Sequence, residues 1–133
     1  MTTTDSSEYE GTSGPLNTSL IRVLPPVDVK FDIKSFHSGS ERSAFSSAGY
    51  AVIQARWNFL QQINYAGVTN NHIVMASITE VFPNPASGQI DLPGIGDAHM
   101  YVRSVAPQNG KIFVNGYIDF DRNLNVRISL FVW

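Results

Sequence analysis

The residues that could do chemistry are few and are scattered along the chain. The three histidines, His37, His72 and His99, fall in three different predicted elements, and the chain has no cysteine. Neither a G-x-S-x-G motif nor a glycine-rich phosphate-binding loop is present, so no nucleophile is paired with a recognisable base. We therefore predict a non-enzymatic protein that has no catalytic residues and no cofactor.

One polar stretch has the spacing of a calcium loop. The sequence "DFDRNLN" places Asp or Asn at four alternate positions from residue 119 to residue 125, which superficially matches the start of an EF-hand. That loop requires a glycine and a bidentate glutamate at the positions where this chain has Leu124 and Leu130. We predict no metal site, because a strand would simply point these alternate polar side chains outward.

The distribution of charge and hydrophobicity bears on the class of partner. The chain has 133 residues, with nine Lys or Arg and eleven Asp or Glu. Three of the acidic residues and none of the basic ones fall in residues 1–20, which therefore carry −3, and the remainder carries +1. Without a basic cluster we expect no nucleic-acid partner. Without an apolar run of about 20 residues or a signal-peptide pattern, we expect no membrane contact and a soluble protein made in the cytoplasm.

Alternation of apolar and polar residues predicts six strands. They are expected at residues 27–34, 50–59, 72–81, 99–105, 111–120 and 124–133. Residues 54–64 also fit a short helix, and the strand at 72–81 is expected to be buried on both faces. Residues 35–49 and 82–98 are rich in Ser, Gly or Pro and are predicted to be long loops. The last two strands should turn a shared apolar set toward the core: Ile112, Val114, Ile118, Phe120, Leu124, Val126, Ile128, Leu130 and Val132.

These elements predict an all-β protein with one domain over residues 21–133. Six strands joined by hairpin turns favour an antiparallel β-sandwich, of the jelly-roll or immunoglobulin-like kind. Residues 1–20 are mainly Thr, Ser, Gly and acidic residues. Such a segment has little to bury, which predicts a flexible N-terminal arm that is either disordered or ordered only by a partner.

Several apolar residues have no evident place in the predicted core, and we interpret them as a partner interface. Four lie in the long loop, and four lie opposite the core-facing sets of the last two strands. The eight residues are Phe82, Ile90, Leu92, Ile95, Phe113, Tyr117, Phe131 and Trp133. The first four could instead cap an open end of the sandwich.

A second interpretation concerns sugars. Flat aromatic rings can stack on the faces of sugar rings, and the chain has four candidates for this role in Trp57, Tyr65, Tyr101 and Tyr117. The sequence does not show which of these rings share a surface. A carbohydrate-binding module is therefore the alternative to a protein that acts through assembly.

The second half of the chain carries a resemblance. Residues 67–133 contain "GVTNNHIVMASITE", a Gly/Pro/Asp-rich break, "MYVRSVAPQNGKIFVNGYID" and "NLNVRISLFVW". In this order they resemble the terminal β-sandwich modules of bacteriophage virion proteins, especially tail-fibre and spike tips. The resemblance implies a virion component that forms a closed homo-oligomer, commonly a trimer, and contacts other virion proteins. A chain this short would be a capsid decoration or cement subunit, or a compact fibre or baseplate component.

The same strand order is also similar to the H-type lectin domain. The C-terminal half of that family likewise pairs a hairpin of the "YVRSV…GKIFV" kind with a closing strand that ends in an aromatic residue. None of its sugar-contacting residues transfers to this sequence. This likeness implies surface glycans as further partners and a host-receptor-binding tip as a further role.

Overall fold

Ten strands make up the described part of the chain. The computed structural model describes residues 20–33 and 47–133, and no helix occurs among them. The predicted arm before Leu20 and most of the predicted loop at 35–49 lie outside these residues. The strands are β1 (Arg22–Val23), β2 (Val27–Asp28), β3 (Lys30–Ile33), β4 (Ser47–Ala55), β5 (Trp57–Asn64), β6 (Val74–Asn84), β7 (Gln89–Gly94), β8 (His99–Gln108), β9 (Lys111–Asp119) and β10 (Leu124–Val132).

The strands form two sheets that face each other, which confirms the predicted all-β sandwich. Sheet I has the order β1-β5-β9-β8, with β2 also paired to β5. Sheet II has the order β3-β4-β10-β6-β7. All pairs are antiparallel except the two short strands β1 and β2, which run parallel to β5. The core lies between the sheets, because each sheet can remove only one face from water by packing on the other.

Alternation within β9 and β10 places the core as predicted. Every second residue of these strands is buried, and the predicted core-facing residues are buried except Phe120, which packs against the core while partly exposed. The two strands belong to different sheets, so the turn between them crosses the sandwich. Gly116 belongs to the same inward face, where an added Cβ would stand 2.6 Å from the buried ring of Phe59.

The predicted single strand at 50–59 is wrong, and so is the alternative helix at 54–64. The chain turns a corner between β4 in sheet II and β5 in sheet I. Trp57 starts β5 with a φ of 57°, a left-handed conformation that is costly for a bulky residue. The guanidinium of Arg56 lies 4.5 Å from the centre of the Trp57 ring and donates a hydrogen bond to the carbonyl of Asp121, so these contacts brace the corner.

The predicted strand at 27–34 also divides between the sheets, around Val29. β2 pairs with β5 in sheet I, whereas β3 pairs with β4 in sheet II. The backbone N–H of Val29 donates to the carbonyl of Asn64 at 3.0 Å. The alternating pattern runs through this point without a break, because the chain remains extended as it crosses from one sheet to the other.

The predicted long loop at 82–98 is largely a β-hairpin. β6 continues to Asn84 and β7 returns beside it at the edge of sheet II. Pro83 adjoins a register shift, and Pro93 lies in the edge strand itself. Both positions tolerate the missing N–H of proline, which is why the Pro and Gly residues are compatible with strand structure here.

Candidate interaction surfaces

The last strand of the chain is an interior strand of its sheet. β10 pairs with β4 on one side and with β6 on the other. Beyond β10 the ladder continues, because Trp133 and Ile73 exchange backbone hydrogen bonds of 2.9 and 3.1 Å. The side chains that point away from the core at this end of the sheet are therefore held on a rigid surface.

Four of these outward side chains form an exposed apolar cluster, which we call the sheet II patch: Ile73, Met75, Phe131 and Trp133. Met75 is directly opposite Phe131 in the ladder, as Ile73 is opposite Trp133. The rings of Phe131 and Trp133 meet edge to face with centroids 4.5 Å apart. Ile73 is 66% exposed and Met75 is 60% exposed, so the patch is contiguous and faces water.

The prediction that residues 72–81 are buried on both faces is wrong, and this error concealed half of the patch. Val74, Ala76 and Ile78 pack against the core, whereas the residues between them face outward. The sequence signal was present, since Ile73 and Met75 alternate with those core residues. A run rich in apolar residues on both faces can be a central strand with one exposed apolar face.

A groove of about 350 Å³ continues from the patch across the outer face of sheet II. Small side chains, including Ala48, form its floor, with Met75 and Phe131 at one end and Tyr50 and Arg127 at the other. We call it the sheet II groove.

Arg127 is the one charged side chain on the outward faces of β4, β6 and β10. Its guanidinium lies 5.7 Å from the centre of the Tyr50 ring. Its Nε is buried and makes no hydrogen bond within the described part of the chain, where no carboxylate pairs with it either. The groove therefore joins apolar walls to a positive charge that the described residues leave without a carboxylate partner.

The β6–β7 hairpin carries a second exposed apolar set at the far end of sheet II. Ile90 and Leu92 are exposed, and Ile95, just after β7, is 100% exposed. Phe82 is more sheltered, because its ring covers Gly94, where an added Cβ would stand 2.7 Å from the ring. Residues 80–97 include three acidic residues and no Lys or Arg. The hairpin thus combines exposed apolar side chains with an excess of negative charge.

The tip of this hairpin is held rigidly by side-chain hydrogen bonds. Asn84 accepts from the backbone N–H of Ala86 at 3.0 Å and donates to the Asp91 carboxylate at 2.7 Å. The Ser87 hydroxyl donates to the same carboxylate at 3.0 Å. Gly88 closes the turn with a φ of 75°, a conformation that glycine adopts without strain.

The remaining two predicted interface residues, Phe113 and Tyr117, lie on the outer face of sheet I. The Lys111 ammonium is 5.7 Å from the centre of the Phe113 ring, and Tyr117 is buried against Trp57. The eight predicted residues therefore occupy three separate places. The structure pairs Phe82 with Leu92 in the hairpin and brings the rings of Phe131 and Trp133 together.

Three of the four candidate sugar-stacking residues share the outer face of sheet I. Tyr101 and Tyr117 have ring centroids 5.7 Å apart, and Trp57 adjoins Tyr117. Of the three, only Tyr101, which is 53% exposed, offers a ring face to solvent. Tyr65 is buried elsewhere, with its hydroxyl bonded to Ser47.

Burial sets the ionisation of two of these tyrosines. It raises the pKa of Tyr117, and the nearby charge of Asp119 and the Tyr101 hydroxyl raise it further, while Arg103 acts in the opposite direction. Burial also raises the pKa of Tyr65, against the lowering effect of its hydrogen bond with Ser47. Both phenols therefore favour the neutral form in the folded protein.

The two described histidines lie in separate places. His72 Nδ1 accepts a hydrogen bond from the backbone N–H of Thr69 at 2.9 Å, and His99 lies opposite Asp119 in the β8–β9 ladder; His37 is outside the described residues. Within residues 20–33 and 47–133 no three His, Asp or Glu side chains are grouped as metal ligands would be. In the same ranges no helix has the length and apolarity needed to cross a membrane.

Comparison with known proteins adds no relative. No family model, no curated protein and no solved structure matches the chain. The surfaces described above are therefore the basis for the functional argument.

Proposed function

We propose that this chain is a non-enzymatic structural subunit that acts by assembling with copies of itself through the outer face of sheet II. The observation that carries the proposal is the sheet II patch. Its apolar side chains stand exposed on a regular, fully hydrogen-bonded sheet, and contiguous exposed apolar surface of this kind marks interaction sites.

The size of this face suits a stable contact. The five strands of sheet II contain 4, 9, 9, 11 and 6 residues, 39 in all. Each residue covers about 3.3 Å along its strand and about 4.8 Å across it, so the face measures roughly 600 Å². A standard interface buries about 800 Å² on each partner. The face, which already includes the β6–β7 hairpin, thus approaches the required area.

The test is the native mass of the protein by light scattering over a range of concentrations. We expect the wild-type chain to form a closed oligomer. Met75→Glu should raise the dissociation constant at least tenfold, about 1.4 kcal/mol, because a glutamate buried at the contact would lose its hydration without gaining a partner.

The matched control is Val23→Glu, which changes an exposed aliphatic residue on β1, in sheet I. This variant should assemble like the wild type. A wild-type chain that stays monomeric at several hundred micromolar would remove the proposal, and so would equal weakening by the two substitutions.

The more specific role that we propose is that of a bacteriophage virion component, a decoration or cement subunit or a compact fibre or baseplate piece. The resemblance of residues 67–133 to phage tail modules supports this role, and self-association is what such a subunit requires. Peptides of this chain should then occur in phage particles purified from an induced culture of the host, and their absence from complete particles would contradict it.

A carbohydrate-binding function is the weaker alternative. Sugar stacking needs an exposed ring face, and among the four aromatic candidates only Tyr101 provides one. A glycan array probed with the wild type and with Tyr101→Ala would decide this alternative. Binding that the substitution abolishes would support it.

A further inference from the structure

We propose that copies of this chain join head to tail, with the β6–β7 hairpin of one copy seated in the sheet II groove of the next. The proposal rests on the self-association proposed above and names the two surfaces that produce it. Each copy would then offer one hairpin and one groove, and the contact would be made between unlike surfaces.

The hairpin cannot fill the groove of its own chain. Met75 lines the groove, and Ile90 of the hairpin pairs with Pro83, eight residues further along β6. Eight residues of extended strand span about 27 Å. β6 is paired with β10 or β7 along almost its whole length, so it has no hinge that could close this distance. A β6–β7 hairpin seated in the groove must therefore belong to a second molecule.

The two surfaces are complementary in charge. The hairpin region, residues 80–97, contains Glu80, Asp91 and Asp97 and no basic residue. Arg127 places a positive charge at one end of the groove, and no carboxylate of residues 20–33 or 47–133 pairs with it. Opposite charges across a contact fix its register and favour the correct partner over others, so the acidic hairpin is a better occupant than a second copy of the same positive groove.

The two surfaces also match in apolar character and rigidity. The exposed side chains of Ile90, Leu92 and Ile95 would displace water from a groove of about 350 Å³ that has apolar walls at the Met75 and Phe131 end. The hydrogen bonds of Asn84 and Ser87 with Asp91 already order the hairpin tip. A preorganised element loses little conformational freedom on binding.

A head-to-tail contact has a consequence for symmetry. Contacts between unlike surfaces generate closed rings when the rotation closes and open filaments when it does not. A variant with a damaged groove would still have an intact hairpin, and a variant with a damaged hairpin would still have an intact groove. One intact contact would therefore be recovered by mixing the two variants.

The experiment uses full-length chains and measures mass by light scattering. The groove variant carries Met75→Glu and Arg127→Glu, and the hairpin variant carries Ile90→Ser and Ile95→Ser. All but Arg127, which is partly exposed, are exposed side chains, so the core is untouched, and matching circular dichroism and thermal melts serve as the folding control. The altered groove and the altered hairpin are both acidic, so they cannot bind each other.

Each variant alone should be monomeric, and the equimolar mixture should form a one-to-one heterodimer of twice the monomer mass. A mixture that stays monomeric overturns the head-to-tail contact, as does a hairpin variant that assembles like the wild type. In that second case the protein still assembles, so the proposed self-association through the sheet II patch is retained. A wild-type chain that is monomeric overturns both proposals.

Discussion

At the scale of the residue, charge and burial indicate which side chains can contact a partner and which stabilise the fold. The guanidinium of Arg127 lies 5.7 Å from the centre of the Tyr50 ring, and no carboxylate of the described residues pairs with it. A positive charge in this position, beside an apolar groove, is a place where a partner can add an acidic group. Tyr117 differs from Arg127, because groups of the same chain already surround its side chain. It is buried against Trp57, beside Tyr101, so we expect it to contribute to the stability of the fold.

Tyr117 should make the folded protein sensitive to alkali. Its pKa is raised in the folded state, first by burial and then by Asp119 and Tyr101, so the unfolded chain loses this proton at a lower pH. The stability that the neutral Tyr117 phenol contributes is fully present below about pH 10, the usual tyrosine pKa. It is lost as the pH rises through the pKa of Tyr117 in the folded protein. Urea unfolding from pH 8 to pH 11.5 should therefore show a steeper fall in stability for the wild type than for Tyr117→Phe.

The comparison of the two slopes removes the effect of other groups that titrate in this range. Tyr101→Phe is the matched control, because Tyr101 is exposed in the same ring pair. Because Tyr101 is a lesser cause of the raised pKa of Tyr117, we expect this variant to fall slightly less steeply than the wild type and more steeply than Tyr117→Phe. Identical slopes for the wild type and Tyr117→Phe would show that burial does not affect the phenol.

At the scale of the element, the sequence predicts which face of a strand a residue occupies better than it predicts how the strands are connected. Alternation in β9 and β10 correctly placed Val114 and Val126 in the core, because a half-buried strand must repeat every two residues. The same pattern continues through Val29, where the chain stays extended as it changes sheets. It also continues across the corner at Arg56, although Trp57 leaves the extended conformation there with a φ of 57°. A period of two residues carries no information on which sheet a residue joins, so both corners were missed.

The surfaces were predictable only in part, for a related reason. Phe131 was expected to face outward from the alternation of β10 alone, and it does. Its neighbour Met75 in β6 was missed, because that pairing is long-range and local sequence does not contain it. The hairpin was missed because Pro and Gly residues indicate a loop, although an edge strand and a tight turn accommodate them equally well.

The hairpin offers a prediction at this scale. Asn84→Ala removes the acceptor of the Ala86 N–H and the donor to Asp91, each worth about 1 kcal/mol. Amide hydrogen exchange at residues 86–89 should quicken roughly tenfold or more, and assembly should weaken because the hairpin must be ordered on binding.

The neighbouring substitution Gln89→Ala is the control, because Gln89 is exposed and takes part in the turn through its backbone N–H. It should leave both exchange and assembly unchanged. If Asn84→Ala quickened exchange but assembled like the wild type, the order of the hairpin tip would be irrelevant to the contact.

At the scale of the whole molecule, the two surfaces lie apart on one rigid sheet. The groove is near the middle of β10 and the hairpin is at the outer edge beyond β6. A subunit with two separated, unlike surfaces has the geometry of a ring or filament component, whereas a single self-complementary surface would stop at a dimer. The trimer implied by the resemblance to phage modules would be one closed form of this arrangement.

This arrangement predicts the outcome of removing residues 1–20, which carry a charge of −3. The hairpin and the groove both lie within residues 48–131, so a chain that starts at Ile21 should form an oligomer of the same stoichiometry. Its dissociation constant should change less than threefold, whereas Met75→Glu in the same truncated chain should still raise it at least tenfold. Light scattering of both chains at equal concentration makes the comparison. If the truncated chain were monomeric while the full chain assembled, the acidic N-terminal segment would be the element that joins neighbouring subunits, and the hairpin would lose that role.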